Sequence, residues 1–293
     1  MLALREMPEL LIVFYDVEHG SSAFLNTPNG KNIVIDLGVG SYKRADETFS
    51  PLAHLWNQYG IRRLNRVIIT HPHRDHLDDI DNFDSFSPTV LQTPRHLTDD
   101  DIRAGNQQNA GQIVEKFLRI RARYSGPVPS TENIGIADDF GGVIFQSFQP
   151  WQCSRNNLNN HSLVTIISYA GSKIIIPGDN ESASWNELLA NPVFVQAINS
   201  ADVLVAAHHG REAGYCEDLF NHIRPKLTIV SDGPGSETSA TAKYSNKSSG
   251  WNVYSRSTGQ ASNRKCLTTA SDETIVVKFA TGSPQNYLNV TIA

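Results

Sequence analysis

The sequence has little cysteine and no long apolar run. Cys153, Cys216 and Cys266 are too few and too widely spaced for a disulfide framework or a thiolate metal site, so we expect reduced thiols. The N-terminal stretch MLALREMPELLIVFYDV has an acid on either side of Met7-Pro8 and no small-residue cleavage site. We therefore expect neither a secretory signal nor a membrane span, and we expect a cytoplasmic protein.

An excess of positive charge and a complete phosphate-binding loop are also lacking. The net charge of −5 means that a polyanion would have to be held by a local basic patch or by metal ions. GVGSYK matches only part of a phosphate-loop pattern and no GK[ST] follows, which argues against a nucleoside-triphosphate site. What is present is a globular composition, with 293 residues of which 40% are hydrophobic, and this predicts one large domain over residues 1–293.

Short runs rich in β-branched residues recur along the chain and predict strands. These runs are LLIVFYDV, KNIVIDLG, RVIIT, PTVLQT, GGVIFQSF, SLVTIISYAGSKIIIPGD, ADVLVAAHHG, KLTIVSDG and ETIVVKFA. Helical patterns lie between them, in SPLAHLWNQYG, DDIRAG, GQIVEKFLRIRARY and GYCEDLFNHI. This alternation predicts an α/β sandwich with sheets inside and helices outside. Residues 232–271 are polar, and we expect them to form loops around one short strand, WNVYSRS.

The stretch THPHRDHLDD crowds imidazoles and carboxylates at the end of the apolar run RVIIT. These are the side chains that zinc and similar divalent metals prefer at catalytic sites. The HxHxDH spacing lets His71 and His73 face one metal ion, while Asp75 and His76 reach a second from the far side of the turn. A surface turn with incidental histidines is the alternative. It is disfavoured because further candidate ligands occur elsewhere in the chain.

Those further candidates lie where other apolar strands begin or stop. They are His161 in NNHSLV, Asp179 in IIIPGDN, and His208 and His209 in VLVAAHHG. Spacing alone leaves open which histidine of the last pair binds metal. If His208 is the ligand, His209 is a candidate proton donor to the leaving group. His19, which follows the first strand, could lie near the same cleft, whereas His96 is expected on a surface loop.

With these residues in place, the sequence resembles the metallo-β-lactamase fold superfamily, whose members carry an Asp after an early strand, then HxHxDH, a single His, a Gly-Asp and a final His. The resemblance implies an αββα sandwich, with two mixed β-sheets packed face to face and helices outside. It implies a first metal at His71, His73 and His161, a second at Asp75, His76 and His208, and Asp179 between them. Asp36 in IVIDLG would brace the HxHxDH loop from behind the ligands.

A narrower resemblance, over residues 11–231, is to the metallohydrolase domain at the end of the DNA-uptake channel protein ComEC and to its soluble relatives. It is carried by FYDVEHGSSAFL, by NNHSLVTIISYAGSKIIIPGD and by AAHHG. Ser21 replaces an Asp of that family's opening motif, so the exact substrate of those relatives cannot be assigned to this chain from the resemblance. His161 stands where those relatives often have Asn, which favours a full two-metal site here.

The ligand set predicts hydrolysis by a hydroxide shared between two divalent ions, Zn²⁺ or Mn²⁺. Asp75 or Asp179 would orient the nucleophile. We expect a phosphodiesterase or nuclease. One alternative is a hydrolase of small esters, lactones or amides with the same fold, which would have a narrow apolar pocket. Another is a metal-binding module without catalysis, which the complete ligand set disfavours.

The candidate substrate contacts lie within residues 238–271, a stretch with five cations and no acid. Lys243, Lys247 and Arg256 could contact phosphates there, and Trp251 could stack on a base. This composition predicts a nucleic acid or nucleotide phosphodiester as substrate. A polar loop that simply avoids acids is the alternative, and no protein partner is indicated.

Overall fold

The computed structural model describes residues 8–41, 48–106, 111–233, 239–282 and 285–293, which fold into strands and helices. The strands are β1 (Glu9–Phe14), β2 (Ala23–Asn26), β3 (Asn32–Ile35), β4 (Gly40–Ser41), β5 (Thr48–Phe49), β6 (Arg66–Ile68), β7 (Val90–Gln92), β8 (Ile144–Phe148), β9 (Val164–Tyr169), β10 (Ser172–Ile176), β11 (Val203–Val205), β12 (Leu227–Val230), β13 (Trp251–Ser255), β14 (Gln260–Arg264), β15 (Cys266–Thr268), β16 (Ile275–Ala280) and β17 (Tyr287–Ile292). The α-helices are α1 (Pro51–Gln58), α2 (Asp99–Gly105), α3 (Gly111–Arg123), α4 (Ser182–Leu189), α5 (Pro192–Ile198), α6 (Thr241–Lys247) and α7 (Thr269–Asp272).

Two mixed sheets organise the described part of the chain. The nine-stranded sheet has the order β14-β13-β17-β16-β1-β2-β3-β6-β7, and the six-stranded sheet has the order β15-β12-β11-β10-β9-β8. The first sheet is antiparallel where β1 meets β2 and β16, and parallel from β3 through β6 to β7. The second is parallel from β10 through β11 and β12 to β15. None of the described helices is long and apolar enough to cross a membrane.

Three apolar layers hold these elements together. The central layer contains buried side chains of both sheets, such as Ile12 and Phe279 from the first and Ile167 from the second. The outer face of the nine-stranded sheet packs against α1, α2 and α3, with Phe117 fully buried. The outer face of the six-stranded sheet packs against α4, α5 and α6, with Trp185 buried. The predicted αββα sandwich is therefore confirmed.

Helix boundaries follow local capping chemistry. The Ser50 hydroxyl accepts a hydrogen bond from the Ala53 amide at the start of α1 (2.9 Å). At the start of α2, Thr98 Oγ1 accepts from the Asp101 amide (3.1 Å), and Asp101 Oδ2 accepts from the Thr98 amide (2.8 Å). Such reciprocal bonds satisfy amides that have no partner within the helix. The helical pattern DDIRAG therefore located α2 correctly.

The polar region 232–271 differs from the loops expected there. The expected strand WNVYSRS is present as β13, and the region also contains α6, β14, β15 and the start of α7, while residues 234–238 lie outside the described residues. β13 and β14 pair at the edge of the nine-stranded sheet, where an exposed face accepts polar residues, so their strands lack an apolar signal. GYCEDLFNHI, expected as a helix, contains only the 3₁₀ turn Asp218–Asn221.

Strand ends from both sheets meet at one edge of the sandwich. Asp36 follows β3, and Thr70 follows β6. Asp179 lies shortly after β10, and His209 lies shortly after β11. The Leu163 amide donates to the Thr70 carbonyl across the sheets (2.9 Å). This bond joins the loop after β6 to the start of β9, so the packing of the two sheets fixes the loops that carry the candidate ligands.

Replacing a core aromatic should destabilise the sandwich. Phe279→Ala removes a side chain that is 0% exposed between the sheets, and we expect a loss of about 3–5 kcal/mol in the free energy of unfolding. Tyr254→Ala, at a position 44% exposed on β13, is the matched control and should change it by about 0.5 kcal/mol or less. Urea unfolding followed by circular dichroism measures both. Equal losses would contradict the assignment of the central layer as the main core.

Candidate metal centre

Four side chains converge where the strand ends meet. Asp75, His76, Asp179 and His209 each offer one ligand atom, and these atoms lie within 4.8 Å of one another. His209 Nε2 is 3.3 Å from Asp75 Oδ2 and 3.2 Å from Asp179 Oδ2, and His76 Nε2 is 3.4 Å from Asp179 Oδ1. Two imidazoles and two carboxylates form a donor set suited to a divalent transition metal. We refer to these four residues as the carboxylate–histidine cluster.

Asp36 fixes the orientation of His76. Its carboxylate accepts from the Thr70 amide (2.7 Å) and hydroxyl (2.8 Å), and its Oδ2 is 2.8 Å from His76 Nδ1. Because a carboxylate only accepts, His76 Nδ1 carries a hydrogen and Nε2 is directed to the cluster. That Nε2 is buried without a hydrogen-bond partner. Asp36 thus contacts the candidate ligand His76, and its role as a brace for the HxHxDH loop stays a prediction.

A left-handed turn directs His209 into the cluster. His208 (φ 50°), His209 (φ 54°) and Gly210 (φ 72°) all have positive φ, which costs of order 1–3 kcal/mol at each histidine. His209 Nδ1 is 3.0 Å from the Ser231 carbonyl, which can only accept. Nε2 is therefore directed to the two carboxylates, and it too is buried without a hydrogen-bond partner. The geometry of both histidines thus fits a metal ion.

Glycine allows Asp179 to approach the other loops. Gly178 has φ 61°, and a Cβ there would lie 2.8 Å from the Cβ atoms of both Thr70 and Ser162. The Asp179 amide donates to Ser162 Oγ (3.0 Å). Any larger residue at position 178 would separate the end of β10 from the loop after β6, and Asp179 would move away from His76.

The spacing left open which of His208 and His209 binds metal, and the resemblance implied His208. In the structure, His208 Nδ1 lies 3.2 Å from Glu181 Oε1. His209, the predicted proton donor, is the member of the pair within the cluster. The physical reason is the left-handed turn, which rotates successive side chains to different sides. An alternating strand pattern carried on from β11 does not predict this turn.

The other two histidines of the HxHxDH stretch lie beside the cluster. His71 Nε2 is 3.0 Å from His73 Nδ1 and 3.9 Å from Asp179 Oδ2. His71 is fully buried, and burial, followed by the charge of His76, holds its pKa well below the usual range. Burial also lowers the pKa of His73. Neutral imidazoles are the form that binds metal.

His161 has both ring nitrogens engaged elsewhere. Its Nδ1 is 2.9 Å from His96 Nε2, and its Nε2 is 3.3 Å from the Ser154 carbonyl. Gln149 donates its amide to His96 Nδ1 (3.0 Å), so His96 Nε2 carries the hydrogen that it shares with His161. Among the described residues, no hydrogen bond or ring contact joins His161 to His71. This arrangement therefore does not direct His161 to the first metal position, where it was expected.

His96 was expected on a surface loop, and its contact with His161 was missed. Burial, and then the neighbouring His161, lower the pKa of His96 to about 4, which keeps the ring neutral at pH 7. The two histidines are separated by a helix pair and several turns in the sequence. No local spacing signal in the sequence could have paired them.

Positive charge on the histidines balances negative charge on the carboxylates within the metal-free cluster. Burial disfavours the ionised form of Asp179, but His209 and His76 outweigh it and hold its pKa well below the usual range. The pKa of Asp75 is lowered for the same reasons. Burial opposes the protonation of His209, yet Asp179 and Asp75 raise its pKa to about 10, and the pKa of His76 is also raised. Two protonated histidines thus neutralise two carboxylates until a metal ion replaces their protons.

The predicted substrate contacts are partly neutralised by acids from another segment. Lys243 pairs with Glu212, and Lys247 pairs with Glu217. Trp251 is half-buried, with Lys226 Nζ 4.5 Å from its ring centroid. The stretch is acid-free in sequence, but in space Lys243 and Lys247 have carboxylate partners. These two lysines are therefore not unpaired cations, and their role in binding substrate stays a prediction.

Arg256, the fourth predicted contact, is exposed after β13. It lines a cavity of about 760 Å³ together with Tyr15 and His54. That cavity is bordered by α1, and the ligand residues are not among those that line it. A role for Arg256 in binding substrate stays a prediction.

The exposed side of the cluster is bordered by a histidine and an arginine. The His19 ring stacks on His209, with centroids 5.3 Å apart and an interplanar angle of 29°. Arg211 Nη2 lies 3.0 Å from His19 Nδ1 and 3.2 Å from its Nε2. Burial, and then the charges of His209 and Arg211, lower the pKa of His19. The position of His19 near the cleft was anticipated, whereas Arg211 was missed although it directly follows the His-His-Gly turn.

The family model described as metallo-beta-lactamase superfamily matches residues 15–196. The match covers more than half of the chain, and the chain belongs to this superfamily. A curated relative is ComE operon protein 3 of Bacillus subtilis (strain 168), which is 25% identical over 230 residues. These residues are 74% of this chain but only 28% of that protein's length. Both resemblances found in the sequence are thus confirmed.

Similar solved structures include a diphosphatase of the PhnP family, with a TM-score of 0.41, 13% identity, and coverage of 78% of this chain and 91% of that chain. The short form of human tRNase Z has a TM-score of 0.37 and 15% identity, over 75% of this chain and 91% of that chain. A long form of RNase Z from yeast has a TM-score of 0.43 and 12% identity, over 78% of this chain and 38% of that chain.

Asp36→Asn should weaken metal binding without unfolding the protein. Asparagine tolerates the positive φ of position 36 (59°), but its amide would donate to His76 Nδ1 and move the ring hydrogen to Nε2. We expect metal affinity to fall by about 10- to 100-fold. Competition with a chromogenic chelator measures it, with Asp78→Asn as the control. Unchanged affinity in Asp36→Asn would contradict the proposed orientation of His76.

Metal binding should release protons from the cluster. His209, with a pKa of about 10, is protonated in the metal-free protein at pH 8, and its Nε2 must lose that proton to bind a metal ion. Affinity should therefore rise with pH up to about 10. Calorimetry in buffers of different ionisation enthalpy gives the number of protons released. His209→Ala should release about one fewer than wild type, and the exposed control His222→Ala should match wild type.

Proposed function

We propose that the protein is a metal-dependent hydrolase that cleaves phosphodiester bonds. The observation that carries the proposal is the carboxylate–histidine cluster, in which two buried Nε2 atoms without hydrogen-bond partners face two carboxylates. A divalent ion held there supplies Lewis acidity and lowers the pKa of a water molecule. Zn²⁺ suits this mixed donor set, and Mn²⁺ is the second candidate. Membership of the metallo-beta-lactamase superfamily supports the proposal.

The proposal includes a second ion beside His71 and His73. Asp179 would lie between the two positions, because its Oδ2 is 3.9 Å from His71 Nε2 and 3.2 Å from His209 Nε2. For His161 to complete the second set, its ring would have to release His96 and the Ser154 carbonyl. The ion in the carboxylate–histidine cluster should therefore bind more tightly than the second.

Side chains beside the metal ion would orient the water molecule and protonate the leaving group. The Asp75 side chain is 28% exposed, so it can reach a water molecule at the open side of the cluster and accept a hydrogen from it. Its lowered pKa keeps this carboxylate ionised. With His209 in the cluster, His208 becomes the candidate proton donor to the leaving oxygen. Glu181, 3.2 Å from His208 Nδ1, would orient that ring.

The surroundings of the cluster favour an anionic substrate. Its exposed side is bordered by His19 and Arg211. Both side chains are polar, and the arginine is positively charged. A small ester, lactone or amide would instead require an apolar pocket at this position. A module that binds a metal ion without catalysis would use the same cluster, so the turnover measured below decides between the two.

Wild type should hydrolyse at least one phosphodiester when loaded with Zn²⁺ or Mn²⁺. The panel is linear DNA, RNA, cyclic dinucleotides and a chromogenic phosphodiester, with an acyl ester, a lactone and a thioester for comparison. Asp75→Asn should lower kcat by about 10²- to 10⁴-fold, since an amide cannot accept the proton of the attacking water. Asp78→Asn is the matched control in the same loop, where Asp78 contacts Arg74 (3.0 Å).

Thermal melting separates loss of activity from loss of fold in both variants. Turnover of lactones or thioesters without any phosphodiester would overturn the substrate class. Near-normal phosphodiester turnover by Asp75→Asn would overturn the role given to Asp75. An elemental analysis of the loaded protein counts the ions per chain.

A further inference from the structure

We infer that Arg211, held in place by His19, binds the charged non-bridging oxygen of a phosphodiester at the carboxylate–histidine cluster and so selects charged over neutral esters. The inference rests on the proposed function and names the group that sets its specificity. Nothing in the resemblance or in the comparisons with known proteins assigns a role to this arginine. The inference depends on the position of Arg211, on its hydrogen bonds and on the charges around it.

The same turn positions the cluster ligand and the arginine. His209 and Gly210 have φ of 54° and 72°, and Arg211 follows at once with its amide bonded to the His208 carbonyl (2.9 Å). A bridge to Ser239 pairs the Arg211 backbone with the next segment. The turn that directs His209 inward thus places Arg211 at the exposed border. Any movement of one would move the other.

His19 connects the guanidinium to the cluster. Its ring lies between Arg211 and His209, with the Arg211 Nη2 contact at 3.0 Å and the His209 stack at 5.3 Å between centroids. Ser231 holds this arrangement from behind, because its carbonyl accepts from His209 and its hydroxyl donates to the Gly20 carbonyl (2.9 Å). The guanidinium is therefore one ring away from a ligand of the cluster and is fixed there.

Donors of Arg211 are left over for an anion. A guanidinium has five N–H groups in a planar fork that matches two oxygens of a phosphate. Nη2 contacts His19, while Nε is buried and has no hydrogen-bond partner in the described part of the chain. A buried donor without an acceptor is costly, so the guanidinium keeps capacity for a further acceptor such as a phosphate oxygen.

The positive charge of Arg211 is not cancelled by the acid next to it. Glu212 pairs with Lys243 on α6. Within the described ranges, no carboxylate lies in ion-pair distance of Arg211. Lys243, whose role as a substrate contact stays a prediction, thus occupies the carboxylate adjacent to Arg211. Arg211 therefore has no ion-pair partner among the described residues and can attract the single negative charge of a phosphodiester, although Asp75 and Asp232 act on the neighbouring His19.

Paired substrates test this role. Bis(p-nitrophenyl) phosphate carries the charged oxygen, and diethyl p-nitrophenyl phosphate is a neutral triester with the same leaving group. Arg211→Ala should lower kcat/KM for the charged diester by about 10- to 100-fold, the range expected for a hydrogen bond to a charged group. It should change kcat/KM for the neutral triester by less than about twofold. Arg211→Lys, which keeps the charge but loses the fork, should lie between wild type and Arg211→Ala.

Arg224→Ala is the matched control, since Arg224 is exposed and precedes β12, at the end of that strand opposite Ser231. It should match wild type on both substrates. Binding of thymidine 5′-monophosphate to the metal-loaded protein, measured by calorimetry, provides a readout that does not depend on turnover. We expect Arg211→Ala to weaken it by at least about tenfold and Arg224→Ala to leave it unchanged.

The outcomes separate this inference from the proposed function. If wild type cleaves the charged diester and Arg211→Ala retains both its turnover and its nucleotide affinity, the role of Arg211 is wrong while the function stands. Equal losses on charged and neutral substrates would make the arginine structural and also overturn the inference. If wild type cleaves no phosphodiester and does not bind the nucleotide, both proposals fail. Thermal melting of each variant accompanies the assays.

Discussion

The close approach of two carboxylates is the constraint on which the centre depends. Asp179 is buried and Asp75 is partly buried, and both lie within 3.3 Å of the same imidazole nitrogen. Like charges at such distances in a medium of low dielectric constant repel strongly unless positive charge lies between them. Protonated His76 and His209 supply that charge in the metal-free protein, and a divalent ion supplies it when bound. The surrounding hydrogen bonds keep these four groups in place.

Those hydrogen bonds come from strand ends of both sheets, so the geometry of the site depends on how the two sheets pack together. Asp36 directly follows β3 of the nine-stranded sheet, and Asp179 lies in the loop after β10 of the six-stranded sheet. The bond from the Leu163 amide to the Thr70 carbonyl joins the two sides. Because each sheet contributes ligands, a shift of one sheet over the other would separate carboxylates from imidazoles before it exposed much apolar surface. The central apolar layer therefore also sets the geometry of the centre.

Sequence patterns located what depends on local chemistry. β-Branched runs predicted most strands, the pattern DDIRAG predicted α2, and HxHxDH with Asp36 and Asp179 predicted most of the candidate ligands. β13 was predicted from WNVYSRS, whereas β14 and α6 were missed because no clear buried face marks them in the sequence. The exchange of His208 and His209 depends on backbone dihedral angles, and the partners of His161 and Lys243 come from distant segments. Neither dihedral angles nor distant partners leave a spacing signal.

The left-handed turn at His208–Gly210 has a consequence for how the chain folds. Two successive β-carbon-bearing residues with positive φ are unfavourable in isolation, so the turn has no local tendency to form. It is imposed when β11 and β12 have paired and Ser231 can accept from His209. His209 and Ser231 are 22 residues apart, so a loop must close before the turn can form. A chain in which β11 and β12 have not paired would therefore lack His209 at the centre and should bind a metal ion less tightly.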